Sequence, residues 1–359
     1  MRIAIDAREL SGRPTGVGRY LREILAAWGR LPGAAAHEIV LCGTEPIDVT
    51  AFPGISVTAA THSGGGTAWE QFVLPGLLRD VRADVLFAPG YTAPLRSPVP
   101  VVLVIHDVSF AAHPEWFSWR EGARRRTVTR LAAARARRVL TISEFSKREI
   151  EVHLGTDPAK VSVIYPGRTQ VHVARAFTTP DSSVLYVGSI FNRRHLPELI
   201  QGFAQLAAAH PDLQLDIVGE NRASPLLDLD AIASRAGVGD RVHIRSYVSD
   251  EELGRLYGRA AVLAFLSDYE GFGLTPLEAL GAGLPIVVLD TALTREVYGD
   301  AAVYVAKPEP ARIATAIGQA LFDPAERGRV LAAAPGVLAR YSWDTCARRV
   351  LEMLTGAAA

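Results

Sequence analysis

The residues best suited to chemistry lie in Asp268-Tyr269-Glu270-Gly271-Phe272-Gly273-Leu274-Thr275-Pro276-Leu277-Glu278-Ala279-Leu280, where two carboxylates flank a glycine-containing loop. Thr275 reads as a helix N-cap, Pro276 as the first helical residue and Glu278 as the third. Gly271 and Gly273 let a ligand approach the backbone, and amides at a helix start favour an anion such as a diphosphate. Glu270 can then accept hydrogen bonds from sugar hydroxyls, and Glu278 from ribose hydroxyls. A second reading stands beside this one. Thr275-x-x-Glu278 is also a plain capping box, with Glu270 a solvated loop residue.

Other polar residues fall at strand ends. His106 follows an apolar run and can donate a hydrogen bond to a sugar hydroxyl or to the reacting region; a buried histidine bonded to a backbone carbonyl has the same pattern. Asn192-Arg193-Arg194-His195 puts three potential cations at a helix N-terminus, against the helix dipole, a cost that an anionic ligand would offset. Gly16-Val17-Gly18 lies between a first strand and a helix, but Leu21 stands where a dinucleotide fingerprint needs its third glycine. Asp228-Leu229-Asp230 is read as solvated surface, not as a metal motif. His113 is read as structural. Arg120, Arg124, Arg125, Arg126, Arg130, Arg135, Arg137 and Arg138 form a basic segment. It is either a solvated helix or a dock for anionic lipid or a polyanionic acceptor.

These residues need strands and helices to hold them. Short Val/Ile/Leu runs at 2–5, 38–41, 85–87, 101–105, 139–142 and 161–164 read as strands buried on both faces, with helical patterns between them. The alternation breaks at Tyr165-Pro166-Gly167 and resumes after Pro180-Asp181-Ser182-Ser183, which marks a linker. Further strands are expected at 184–187, 214–218, 242–244, 262–266, 286–289 and 302–305. Leu196, Leu199, Ile200, Phe203 and Leu206 make one apolar helical face, and Ser249-Asp250-Glu251-Glu252 opens another helix as a capping box. The expected fold class is α/β, with two Rossmann-like domains whose parallel sheets face a central cleft. The expected boundaries are 1–168 and 169–341, with a helix at about 342–355 packing back on the first domain.

The bulk numbers agree. A chain of 359 residues is long for one domain. Its 38 basic and 38 acidic side chains cancel, which gives no reason to expect bulk nucleic-acid binding. Lysine occurs only at 147, 160 and 307, and the Ala- and Arg-rich composition fits the codon usage of a GC-rich bacterial genome. Cys42 and Cys346 lack disulfide or zinc spacing. The N-terminus reads as a strand rather than a signal peptide, and the apolar run at 99–105 is far short of the roughly 20 residues of a membrane span. Cytoplasm is the expected compartment, with peripheral contact at the inner face of a membrane as an option.

The ordered set of motifs resembles the retaining GT-B glycosyltransferases of family 4, the group 1 glycosyltransferases. Those motifs are Thr15-Gly16-Val17-Gly18-Arg19-Tyr20, Trp69-Glu70-Gln71, His106-Asp107-Val108-Ser109-Phe110, Ile142-Ser143-Glu144-Phe145-Ser146, Tyr165-Pro166-Gly167 and Tyr186-Val187-Gly188-Ser189. The Glu270 segment, Gly281-Ala282-Gly283-Leu284-Pro285 and Glu296-Val297-x-Gly299-Asp300-Ala301-Ala302 follow in order. The flavour is that of the mannosyl- and rhamnosyltransferase branch, whose Arg-Lys-Asn aligns with Arg193-Arg194-His195, so that Arg194 stands where that branch has a phosphate-binding lysine.

The resemblance implies hexosyl transfer from a nucleoside-diphosphate sugar, GDP-mannose first, to an acceptor hydroxyl of a carbohydrate, lipid-linked or natural-product molecule, with anomeric retention. It also implies that the leaving phosphate helps deprotonate the acceptor. Arg193, Arg194 and the amides from Gly271 to Thr275 would stabilise the leaving diphosphate, with no metal or other cofactor and no nucleic-acid partner. Gly16, Gly18 and Gly188 would border the diphosphate. Glu220, Tyr247 and Val248 would lie at the base, and His106 at the reacting face. Domain closure would bring Gly16 and His106 to the diphosphate. Rival readings are a retaining sugar phosphorylase of the same fold and a non-enzymatic nucleotide- or sugar-binding protein.

Overall fold

The computed structural model describes residues 1–12, 16–169 and 183–359. Thr15 and most of the expected linker, residues 170–182, lie outside the described residues. The chain divides into two compact units. Unit 1 comprises Met1–Gly167 with Tyr341–Ala359, and unit 2 is Arg168–Arg340.

Among the described residues, unit 1 holds seven parallel strands: β1 (Arg2–Asp6), β2 (Glu38–Gly43), β3 (Ser56–Thr61), β4 (Val85–Ala88), β5 (Val101–Val104), β6 (Arg138–Thr141) and β7 (Val161–Val163). Their order across the sheet is β3-β2-β1-β4-β5-β6-β7. In register, Ile3 sits between Ile39 of β2 and Val85 of β4. The four residues of β4 and of β5 are all buried, which is why these strands read as unbroken apolar runs. β3 was absent from the sequence reading. It is an edge strand with largely exposed side chains, so Ser56-Val57-Thr58-Ala59-Ala60-Thr61 carries no apolar run. The helix Gly16–Trp28 packs on the final helix Trp343–Ala358, and the buried Trp28 indole N–H donates to the Ala347 carbonyl at 2.9 Å.

Among the described residues, unit 2 holds six parallel strands: β8 (Ser183–Val187), β9 (Gln214–Val218), β10 (Val242–Arg245), β11 (Val262–Phe265), β12 (Ile286–Leu289) and β13 (Val303–Val305). Their order is β10-β9-β8-β11-β12-β13. The helix Leu196–Ala207 buries Leu196, Leu199, Ile200 and Phe203 as the periodicity requires, while Leu206 is only half-buried. Ser249 caps the helix Asp250–Arg259, its hydroxyl accepting the Glu252 N–H at 3.2 Å.

Each sheet reverses its strand order once, between β1 and β4 in unit 1 and between β8 and β11 in unit 2. In such sheets the crevice at the carboxyl ends of the strands flanking the reversal is the natural ligand site, because the connections on either side lead to opposite faces and leave a gap.

Candidate functional site

The unit 2 crevice is built from the turn after β8 and the loop after β11. The Arg194 guanidinium crosses it. Its Nε and one terminal nitrogen donate to Glu270 Oε1 at 2.8 and 2.7 Å, and the other terminal nitrogen donates to the Ser189 carbonyl at 2.7 Å. The guanidinium carbon lies 4.9 Å from the Phe265 ring centroid and 5.5 Å from that of Phe191. Burial works against the charge, but Glu270 and the Tyr186 hydroxyl outweigh it and hold the guanidinium pKa above its usual value. Gly188, with φ +144°, makes room for this arrangement, since a Cβ there would stand 2.7 Å from an Arg194 terminal nitrogen.

Glu270 Oε1 also accepts the Ser267 hydroxyl at 2.9 Å. That oxygen is fully used by three donors. Glu270 Oε2 is the acceptor left to receive a ligand hydroxyl.

Further ties fasten the loop to the turn. His195, at φ +50°, sets its Nε2 at 2.7 Å from Asp268 Oδ2. The Asp268 N–H donates to the Arg193 carbonyl at 3.0 Å, and Arg193 Nε donates to the Tyr269 carbonyl at 3.2 Å while its guanidinium stacks 4.3 Å over Phe191. The expectation that Arg193, Arg194 and His195 all await an anion is therefore corrected. Two of these cations already face carboxylates, Arg194 that of Glu270 and His195 those of Asp268 and Glu198.

Although burial lowers the His195 pKa, hydrogen bonds to Asp268 and Glu198 raise it to about 9, from an ordinary 6.5. A raised folded-state pKa stabilises fully below pH 6.5 and stops doing so as pH rises through about 9. Urea midpoints measured across that window should fall with pH in the native chain, and the fall should be shallower in His195→Asn.

The helix Leu274–Gly281 starts two residues earlier than its sequence suggests. Gly273 is the N-cap, at φ +92°, and no side chain caps the helix. Thr275, Pro276 and Glu278 become its second, third and fifth residues, so the expected capping box does not form. Gly273 wins because it alone adopts the left-handed conformation freely, and because a Cβ there would lie 2.1 Å from the Tyr298 hydroxyl. Glu278 is buried at 3% exposure, with the Tyr257 hydroxyl donating to its Oε2 at a long 3.5 Å. Gly271 is half-buried and Phe272 buried beside it.

Around the expected base site, Glu220 pairs with Arg222 on the surface, Tyr247 is 79% exposed and Val248 is half-buried. Asp228 caps the helix Leu229–Arg235, accepting the Ala231 N–H at 2.9 Å, and Asp230 is exposed.

In unit 1, His106 is buried beyond the end of β5, and its Nε2–H donates to the Pro89 carbonyl at 2.8 Å. The ring lies edge-on to Tyr20 at 5.0 Å. Burial lowers its pKa, so the imidazole is neutral, with Nδ1 as its acceptor. Gly16 and Gly18 lie inside the helix Gly16–Trp28 rather than in a loop, Gly16 exposed and Gly18 buried. His113 stacks on Trp116 at 4.0 Å.

The basic segment is the helix Trp119–Arg135 with the chain beyond it. Part of its charge is engaged, since Arg125 pairs with Glu121 and Arg126 donates to the Phe110 carbonyl. Trp119 at its start is 76% exposed. A cavity of about 490 Å³ lies by the amino ends of β5 and β6, lined by Arg135, Arg137 and Lys160. Lys160 there donates to the Ala134 carbonyl at 2.9 Å, as a cation at a helix C-terminus does.

Sequence reasoning gave no role to Tyr186, Ser267, Phe265 and Asp268 in unit 2, or to Asp6 and Arg8 in unit 1, although Asp268 and Tyr186 lie in motifs it singled out. Their one available signal was position, since each lies in or just after a strand flanking an order reversal.

Residues 168–335 match the family model for glycosyl transferases group 1, and residues 14–169 match that for glycosyltransferase family 4. The glycogen synthase of Mycobacterium tuberculosis is 26% identical over 95% of this chain and 91% of its own length. The O-antigen chain mannosyltransferase B of Escherichia coli is 25% identical over 77% of this chain and 75% of its own. Among solved structures, Anabaena HepE in complex with UDP and glucose superposes with a TM-score of 0.76 at 19% identity, covering 99% of this chain and 100% of that one. The fold is therefore GT-B.

Proposed function

The chain belongs to the group 1 glycosyltransferases, and from that membership we propose that it moves a hexosyl group from a nucleoside-diphosphate sugar to an acceptor hydroxyl with retention of anomeric configuration. The observation that carries this reading is the Arg194–Glu270 pair at the strand-order reversal of unit 2. It leaves one carboxylate oxygen for a sugar hydroxyl, beside the uncapped start of the helix Leu274–Gly281. The amides of Leu274 and Thr275 and the Arg193 guanidinium stabilise the diphosphate as it leaves, with no metal ion. Arg194 acts mainly by fixing Glu270. Glu278 is kept for the ribose, which must reach a carboxylate that is closed off in this structure. The leaving phosphate takes the acceptor proton, so no side chain is assigned as general base.

GDP-mannose is the proposed donor. The mannosyltransferase relative supports it, and the UDP held by the HepE structure makes uridine sugars the competing choice. A thermal-shift panel of GDP, UDP and dTDP, run with EDTA, tests both points. GDP at about 100 times its Kd should stabilise the protein by roughly 2.7 kcal/mol. A shift with UDP or dTDP alone would end the mannose assignment, and a shift that needs added divalent metal would end metal independence.

We further propose that the chain works in the cytoplasm and touches anionic membrane through the Arg120–Arg138 segment, where the exposed Trp119 and arginines suit a lipid headgroup layer. Flotation with vesicles containing phosphatidylglycerol should carry the protein upward at low salt and release it at high salt. Equal sedimentation with and without vesicles would contradict this.

A further inference from the structure

The cavity of about 490 Å³ in unit 1 lies at the amino ends of β5 and β6, whereas the crevice at the strand-order reversal lies at the carboxyl ends of the same sheet. Its floor is apolar. Leu95, Val99 and Pro100 come from the connection into β5, and Ala132 from the helix Trp119–Arg135. Among the described residues, its lining includes no aromatic ring and no carboxylate. Its charge comes from Arg135, Arg137 and Lys160.

The helix end accounts for only one of these cations. The C-terminus of an α-helix carries roughly half a unit of negative charge. Lys160 answers it, its Nζ donating to the Ala134 carbonyl at 2.9 Å and reaching the Ala136 carbonyl at 3.5 Å. Arg135 and Arg137 are exposed, and among the described residues their guanidiniums pair with no carboxylate or carbonyl. At the carboxyl end of the sheet the pattern is the reverse, since Arg8 is matched there by Asp6 at 2.6 Å and by Glu70 at 2.7 Å. Two guanidinium charges are thus left over beside an apolar floor.

We propose that this cavity binds an aliphatic phosphate, with its apolar body on the floor and its phosphate between Arg135 and Arg137. A phosphate monoester carries roughly −1.5 to −2 charges at pH 7, which matches two guanidiniums where a carboxylate would leave one over. A guanidinium also pairs with phosphate oxygens through two parallel N–H donors. Without an aromatic ring the floor offers a nucleobase nothing to stack on, and without a carboxylate it offers a bare sugar no strong acceptor. The volume falls within the roughly 300–1,000 Å³ of sites that hold one small molecule. Both arginines belong to the basic segment proposed above for membrane contact. A basic surface responds to charge alone, whereas this cavity requires phosphate and chain together. The phosphate can come from a soluble molecule or from a phospholipid headgroup.

Calorimetric titration of the full chain with hexyl phosphate, inorganic phosphate and hexanol tests the site. Hexyl phosphate should bind at least tenfold more tightly than inorganic phosphate, and hexanol should give no measurable binding. Arg135→Gln combined with Arg137→Gln should weaken hexyl phosphate at least tenfold. Both side chains are exposed, so this double variant should keep the native Tm. Arg120→Gln combined with Arg130→Gln removes the same charge from exposed positions outside the cavity and should bind hexyl phosphate as the native chain does. No binding of hexyl phosphate, affinity equal to that of inorganic phosphate, or binding undiminished by the loss of Arg135 and Arg137 overturns the site. An equal loss in the two double variants also overturns it, by reducing the effect to general charge. With the site established, flotation on vesicles containing phosphatidic acid identifies the source. Release of the protein by hexyl phosphate assigns the cavity to a lipid headgroup, and flotation unchanged by saturating hexyl phosphate assigns it to a soluble phosphate.

Discussion

Arg194→Ala should lower kcat/KM for the donor by about 100-fold or more, the usual cost of removing a preorganised charged donor from a reacting centre. The geometry makes the loss compound. Two Arg194 nitrogens hold Glu270 Oε1, and a third holds the Ser189 carbonyl. With alanine, Glu270 keeps only the Ser267 hydroxyl, and its carboxylate sits unpaired at a mostly buried position. Removing one partner of a buried pair costs about 3–5 kcal/mol in stability, so urea unfolding should accompany the kinetics. Arg194→Lys separates the roles. Lysine keeps a cation near the diphosphate but cannot hold Glu270 through two nitrogens and Ser189 through a third. If Arg194 mainly positions Glu270, Arg194→Lys should resemble alanine in kcat while preserving the thermal shift with nucleoside diphosphate alone. Full activity in the lysine variant would show that charge, not the fork, is what the site needs.

Gly273→Ala should be a strongly damaging single-methyl change in unit 2. The backbone there is at φ +92°, a conformation that costs a non-glycine residue about 1–3 kcal/mol. The new Cβ would also lie 2.1 Å from the Tyr298 hydroxyl, which donates to the Gly273 carbonyl at 2.8 Å. The methyl must push the tyrosine away or swing the loop that starts the helix Leu274–Gly281. In a unit of this size each kcal/mol lowers Tm by roughly 2–4 °C. Calorimetry should show a loss of several degrees, and the donor KM should rise. Gly237→Ala is the control, since Gly237 is at φ +74° with nothing within 4 Å of its Cβ position. It carries backbone strain without the contact. Equal Tm losses in the two variants would mean that Tyr298 plays no part.

The fold was legible because nearly every strand is buried on both faces and reads as a Val/Ile/Leu run. β3 escaped because an exposed edge strand needs no such run. The Glu270 loop was visible through its glycines, but the helix start was misplaced by two residues. Thr275-Pro276 carries a strong start pattern, whereas the left-handed Gly273 that actually opens the helix has no local signature beyond being glycine. The arginines were expected to wait for phosphate. The pairing of Arg194 with Glu270 and of His195 with Asp268 was not legible, since it spans residues more than 70 positions apart and depends on two strands lying side by side. Asp6 and Arg8 likewise acquire meaning only once β1 is known to neighbour β4.

The most direct test of the catalytic proposal is proton NMR of the first product formed from an α-linked nucleoside-diphosphate hexose, with nucleoside diphosphate release followed in the same tube. The retaining-transferase reading predicts an α-linked product and one equivalent of nucleoside diphosphate per bond formed. A β-linked product, or turnover that requires inorganic phosphate and yields a sugar phosphate, would contradict it.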